Sequence, residues 1–110
     1  MATTYKILGQ SSPAANTATS LYTVPASNSA VISTLSICNT NSGNVIVNVA
    51  VRGGGASTET KHALISSTDI AGKDTMFLTV GIALAATDIV EVSANIANVA
   101  FNAFGSEITS

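Results

Sequence analysis

Hydrophobic and polar positions alternate along this chain in short runs, and clusters of Gly, Asn, Pro and Asp separate the runs. No stretch sustains the 3.6-residue period of an amphipathic helix. β-Branched residues fill the runs, so the pattern predicts strands. The clearest is Val45–Arg52, where Val45, Val47, Val49 and Val51 share one face and Ile46, Asn48, Ala50 and Arg52 the other. A period of two is expected where one face of a sheet is buried. Before it, residues 30–39 place Val31, Leu35 and Ile37 on one face together with Ser33. The link at 39–44 is made of Asn, Thr, Ser and Gly, and several of these tolerate positive φ or bond their own backbone. The two strands therefore read as an antiparallel hairpin whose apolar faces turn to the core.

Shorter runs predict further strands at residues 5–8, 21–24, 62–67, 75–80, 89–94 and 99–104. Pro25 closes the second of these, because it has no N–H to offer a continuing ladder. Three corners look alike: Ile70-Ala71-Gly72-Lys73-Asp74, Leu84-Ala85-Ala86-Thr87-Asp88 and Val24-Pro25-Ala26-Ser27-Asn28. In each, an apolar residue is placed to plug the core and a polar one to take up backbone N–H groups in the turn. Eight short, closely spaced strands predict an all-β fold, a single antiparallel β-sandwich over residues 1–110 of jelly-roll or immunoglobulin-like form.

Composition changes this picture in one respect. Charged residues are 9% of 110, against about 25% in ordinary domains. Hydrophobic residues are 46%, so the chain lacks the low hydrophobicity and high charge of disordered segments. Ser, Thr and Asn supply the polarity. A surface of hydroxyls and amides gives up the repulsion that keeps monomers apart, and few charges need desolvating when it is covered. It suits permanent contact with neighbours. The net charge is −2 and the only cations besides the histidine are Lys6, Arg52, Lys61 and Lys73. They are scattered, so no basic stripe is available for phosphates and no nucleic-acid partner is expected.

Candidate chemistry is sparse. His62 stands alone, with neither an orienting acid nor a nucleophile at a recognisable spacing, and reads as a strand-edge residue. Cys38 has no second cysteine to pair with and no cation close in sequence to lower its pKa, so it reads as buried and inert. Of Glu59, Asp69, Asp74, Asp88, Glu91 and Glu107, the aspartates at 74 and 88 are accounted for as turn residues. One Cys and one His make no zinc site, and no Asp-rich loop suggests calcium. Gly53, Gly54 and Gly55 lack the Lys-Ser/Thr ending of a phosphate loop and read as a mobile hairpin tip or contact loop. These readings predict no catalysis, no cofactor and no metal. No secretory signal is evident in residues 1–20, and the apolar runs fall far short of a membrane span, so no membrane partner is expected.

The chain resembles the small β-sandwich structural proteins of tailed bacteriophages, which include head decoration (cement) proteins and tail or fibre modules. The resemblance rests on the Met-Ala-Thr-Thr-Tyr-Lys opening, the Leu21-Tyr22-Thr23-Val24-Pro25-Ala26 corner and the Ile37-Cys38-Asn39 strand end. It rests also on the Leu84-Ala85-Ala86-Thr87-Asp88 corner and the ending Phe101-Asn102-Ala103-Phe104-Gly105-Ser106-Glu107-Ile108. It implies a virion component, synthesised in a host cytoplasm, that works by packing on the major capsid protein or on other virion proteins. The alternative is a tail or fibre module for a host receptor or glycan, which would need exposed aromatics among Tyr5, Tyr22, Phe77, Phe101 and Phe104. Contact with neighbours is expected at Tyr5 and Lys6, at the outward Ile46, and at Gly53, Gly54 and Gly55. Sheet edges with so few charged residues invite pairing, so a homo-oligomer is expected, in the form of a trimer.

Overall fold

Nine strands form in this chain, described in a computed structural model over residues 2–57, 60–79 and 81–109. They are β1 (Ala2–Ser11), β2 (Thr19–Thr23), β3 (Asn28–Asn39), β4 (Val45–Arg52), β5 (Ala63–Ile70), β6 (Thr75–Leu78), β7 (Ile82–Leu84), β8 (Ile89–Ala94) and β9 (Val99–Thr109). Two single-turn 3-10 helices, Gly53–Gly55 and Thr60–His62, lie between β4 and β5. Every paired strand is antiparallel. One sheet, A, has the order β1-β9-β3-β6, with β7 also on β3; the other, B, has the order β2-β8-β4-β5. Successive strands change sheet at all connections except β4–β5 and β6–β7. That is the winding of a jelly roll, which decides between the two sandwich forms the sequence allowed.

The winding also corrects the expected hairpin. β3 lies in sheet A and β4 in sheet B, and the two do not pair. Both carry a row of apolar residues that must be buried, and facing each other across the core buries both rows at once. Val45, Val47 and Val49 on β4 are fully buried opposite Ile32, Leu35 and Ile37 on β3, and Val51 packs at the margin. The 39–44 link is therefore a crossover between sheets, and Asn39 pins it. Asn39 is wholly buried; its Nδ2 donates to the carbonyls of Gly43, Ile70 and Ala71 at 2.9–3.1 Å, and its Oδ1 accepts from the Asn41 N–H at 3.0 Å. Those bonds tie the crossover to the β5–β6 corner.

The face expected for β3 holds only in part. Ala30 and Ile32 point inward, then Leu35, Ile37 and Asn39 do, while Val31 is half-buried and Ser33 exposed. The phase changes because Ser33 is an extra residue: Ile32 is opposite Gly105 and Thr34 opposite Phe104, which are neighbours on β9. On β1, Leu8 is extra in the same way, between Ile7 opposite Phe104 and Gly9 opposite Ala103. Sheet A thus bends along one line across three strands. Gly105 lies at the bend because a Cβ there would run into the Val31 carbonyl oxygen.

The three corners behave as a class. Asn28, Asp74 and Asp88 each donate the backbone N–H to the residue three back, Pro25, Ala71 and Ala85, at 3.1–3.2 Å. Ser27, Lys73 and Thr87 take positive φ of 61–69°, as the third position of a type II turn requires. Val24, Ile70 and Leu84 are the buried plugs. Asp88 does more than expected, accepting the Ala85 N–H at 2.8 Å and the Gly54 N–H at 2.7 Å. The glycine tip is accordingly a 3-10 turn held onto the β7–β8 corner at one point. Thr58 and Glu59, further along the tip, lie outside the described residues, as does Val80 of the strand expected at 75–80.

Candidate interaction surfaces

The two outer faces of the sandwich differ in chemistry. On β9 the odd-numbered Val99, Phe101 and Ala103 are fully buried, so the even-numbered residues point away from the core. Cross-strand partners share a face, which extends this assignment over the sheet. Ile108 lies beside Thr3 and Ser29, Ser106 beside Tyr5 and Val31, Phe104 beside Ile7 and Thr34, and Asn102 beside Gln10 and Ser36. Phe77 adjoins Ser36, Thr75 adjoins Cys38, and Ala83 adjoins Val31. None of these outward residues is charged.

Three of the five aromatic residues stand on this face: Tyr5 is 84% exposed, Phe77 68% and Phe104 38%, with Ile7 at 52%. Only Tyr22 and Phe101 enter the core. The four strands span about 14 Å at the usual interstrand spacing, with Tyr5 at one edge and Phe77 at the other. The amide of Gln10 donates to Asn102 Oδ1 at 2.8 Å, so these two polar side chains partner each other. Cys38 lies on this face at half burial rather than in the core.

Sheet B presents the opposite character. Arg52 Nη2 and Glu91 Oε2 are 3.3 Å apart, Asn48 Nδ2 donates to Ser93 Oγ at 3.4 Å, and Asn48 Oδ1 accepts the Ser67 N–H at 2.8 Å. Asp69 stands beside Ile46 across β4 and β5. An open hollow of about 260 Å³ lies over this net, lined by Asn48, Ala50, Ala63, Ile65, Ser66 and Glu91. It contains no aromatic ring.

The residues expected to meet neighbours do not converge. Tyr5 is on the outer face of sheet A, and Ile46, 37% exposed, is on that of sheet B. Gly53, Gly54 and Gly55 sit at the end of β4 against the β7–β8 corner. Lys6 turns inward: its Nζ donates to Glu107 Oε1 at 3.3 Å, and Glu107 Oε2 accepts the Tyr22 hydroxyl at 2.6 Å. This clasp joins β1 and β9 of sheet A to β2 of sheet B. Burial of Tyr22, reinforced by the Glu107 carboxylate, pushes the phenol pKa well above its ordinary range. The Tyr22 hydrogen bond, with Lys6 adding to it, holds the Glu107 carboxyl below the usual range. His62 closes the second 3-10 turn just before β5. Among the described residues no group of three or more His, Cys, Asp and Glu side chains could hold a metal ion.

What the sequence reading missed is the aromatic face. A signal existed in Tyr5, Ile7 and Phe104, all in strands next to polar alternates, but only the pairing of β1 with β9 brings them to one side.

No family model matches the chain, and no curated protein matches it in sequence. Among solved structures it is similar to a chain in the structure of infectious bursal disease virus, Gx strain, with a TM-score of 0.53 and 10% identity. The match covers 96% of this chain and 32% of that one, so this chain spans about a third of its length. At that identity the likeness is one of fold.

Proposed function

We propose that the chain is a non-enzymatic structural protein of a virion and, within that, a capsid decoration or cement protein packed on the major capsid subunits of a phage head. The observation that carries this reading is the outer face of sheet A, with no charge and three exposed aromatic rings. Monomeric proteins rarely leave such a face uncovered. Covering it removes apolar area from water, at about 25 cal/mol per Å², and desolvates no ion. The jelly roll and its likeness to a chain in the structure of a virus support the reading, though the same architecture also serves lectins. Repetition over a shell multiplies a modest gain per copy, which is how a small protein reinforces a lattice.

A second reading is favoured by the same rings: a tail or fibre module that stacks a glycan on Tyr5, Phe104 or Phe77. The two separate on copy number and on binding. Quantitative mass spectrometry of purified particles containing this chain should find it in numbers comparable with the major capsid protein. A few copies per particle, together with retention on a glycan array that is lost in Phe104→Ala, would move it to the tail.

A further inference from the structure

β1 is an edge strand, paired with β9 on one side and with no described strand on the other, and Ala2–Ile7 are exposed along it. Natural edges are guarded by charge, whichever way it points, by proline, bulges or brevity. Here the one charge, Lys6, is neutralised by Glu107 of the adjoining β9, no proline occurs, and the bulge falls at Leu8, leaving six regular residues before it. At the Gly9 end β1 closes against sheet B, since a Cβ on Gly9 would meet the Leu21 carbonyl oxygen. The least guarded part is therefore the stretch carrying Thr3, Tyr5 and Ile7, and the uncharged face of sheet A runs out to it without a charged margin.

We propose that this edge pairs with the same edge of a second copy, antiparallel about a twofold axis normal to the sheet. Such an axis keeps both outer faces on one side and joins the two sheets into one. Opposite residues share a face, so one residue sits on the axis and faces itself. With Tyr5 on the axis, Thr3 meets Ile7 of the partner subunit and Thr4 meets Lys6 of the partner subunit. With Lys6 on the axis two ammonium groups would oppose each other, and with Thr4 there Ile7 would lie opposite residue 1, outside the described strand. The Tyr5 register avoids both faults and covers the most exposed ring in the chain. A second copy fits better than a charged partner because the face offers no ion to complement. The contact is isologous and closes at two, so a trimer cannot use it.

This goes beyond the virion reading and is tested on the purified full chain, so its failure leaves that reading standing. The contact is smaller than a standard interface, so sedimentation is followed from about 1 µM to about 1 mM. A monomer–dimer equilibrium insensitive to salt is expected. Tyr5→Lys with Ile7→Lys should weaken it at least about tenfold by placing like charges across the axis, with circular dichroism and melting unchanged. In a Cys38→Ser background, Tyr5→Cys should give a disulfide-linked dimer on mild oxidation and Phe77→Cys, at the other edge, should not. A monomer throughout, a trimer, a dimer indifferent to the two lysines, or equal cross-linking at both positions would overturn the proposal.

Discussion

Tyr22, Glu107 and Lys6 make a polar contact that crosses between the sheets through side chains of opposite ionisation behaviour, and they contribute to the pH response. Glu107 is held more acidic in the folded chain than in the unfolded one. Its contribution is complete above the ordinary carboxyl range and is lost as pH falls through the lowered value. Tyr22 is held less acidic, so its contribution is complete below the ordinary phenol range, about 10, and is lost as pH rises above it. Melting curves of the parent and Glu107→Gln should therefore differ at neutral pH and converge in acid. Tyr22→Phe should cost about 1–2 kcal/mol at pH 7 in denaturant titrations, a hydrogen bond to a charged acceptor in a partly exposed setting. No difference at pH 7 would mean that the clasp contributes nothing. Chemistry is tested at the same scale. Ester, glycan and phosphodiester substrates should give background rates, unchanged by His62→Ala or Cys38→Ser.

Elements show why the sequence disclosed some of the structure and not the rest. Val45–Arg52 was legible because strict alternation survives to its end, and the corners were legible because plug, turn and a closing Asp or Asn fall at fixed offsets. The partners of those strands were not, since nothing local says whether an apolar row pairs beside its neighbour or faces it across a core. A buried Asn39 decides that link through carbonyls distant in sequence. β7 was missed because three residues carry too little pattern. The bulge at Ser33 changes the phase of β3, which misplaced Val31, and the outward set of Tyr5, Ile7 and Phe104 is assembled only by the pairing of β1 with β9. Two substitutions test this level. Val47→Asp should abolish folding, because an unpaired buried charge costs as much as a domain's whole stability. Asn39→Ala should lower stability by about 2–4 kcal/mol, leaving several buried carbonyls without donors. Wild-type unfolding midpoints in urea for either would contradict the assigned core.

At the scale of the whole molecule, the ions among the described residues lie on sheet B, in the corners and the second 3-10 turn, and in the clasp, and one broad face of sheet A is neutral. The long axis of 45 Å matches the roughly 40 Å spanned by the twelve residues of β3, so that face runs nearly the length of the protein. The sequence announced neutrality through its charge count but not its segregation to one side, which depends on pairing. Attachment through such a face should depend on burial and hardly on ionic strength. Sedimentation of particles carrying this chain, in salt up to about 1 M, where screening acts within about 3 Å, tests that directly. The chain should remain bound across the series, and Phe77→Glu, folded but charged on the neutral face, should fail to bind particles assembled without it. Release of the parent at moderate salt, or undiminished binding of Phe77→Glu, would contradict attachment through sheet A.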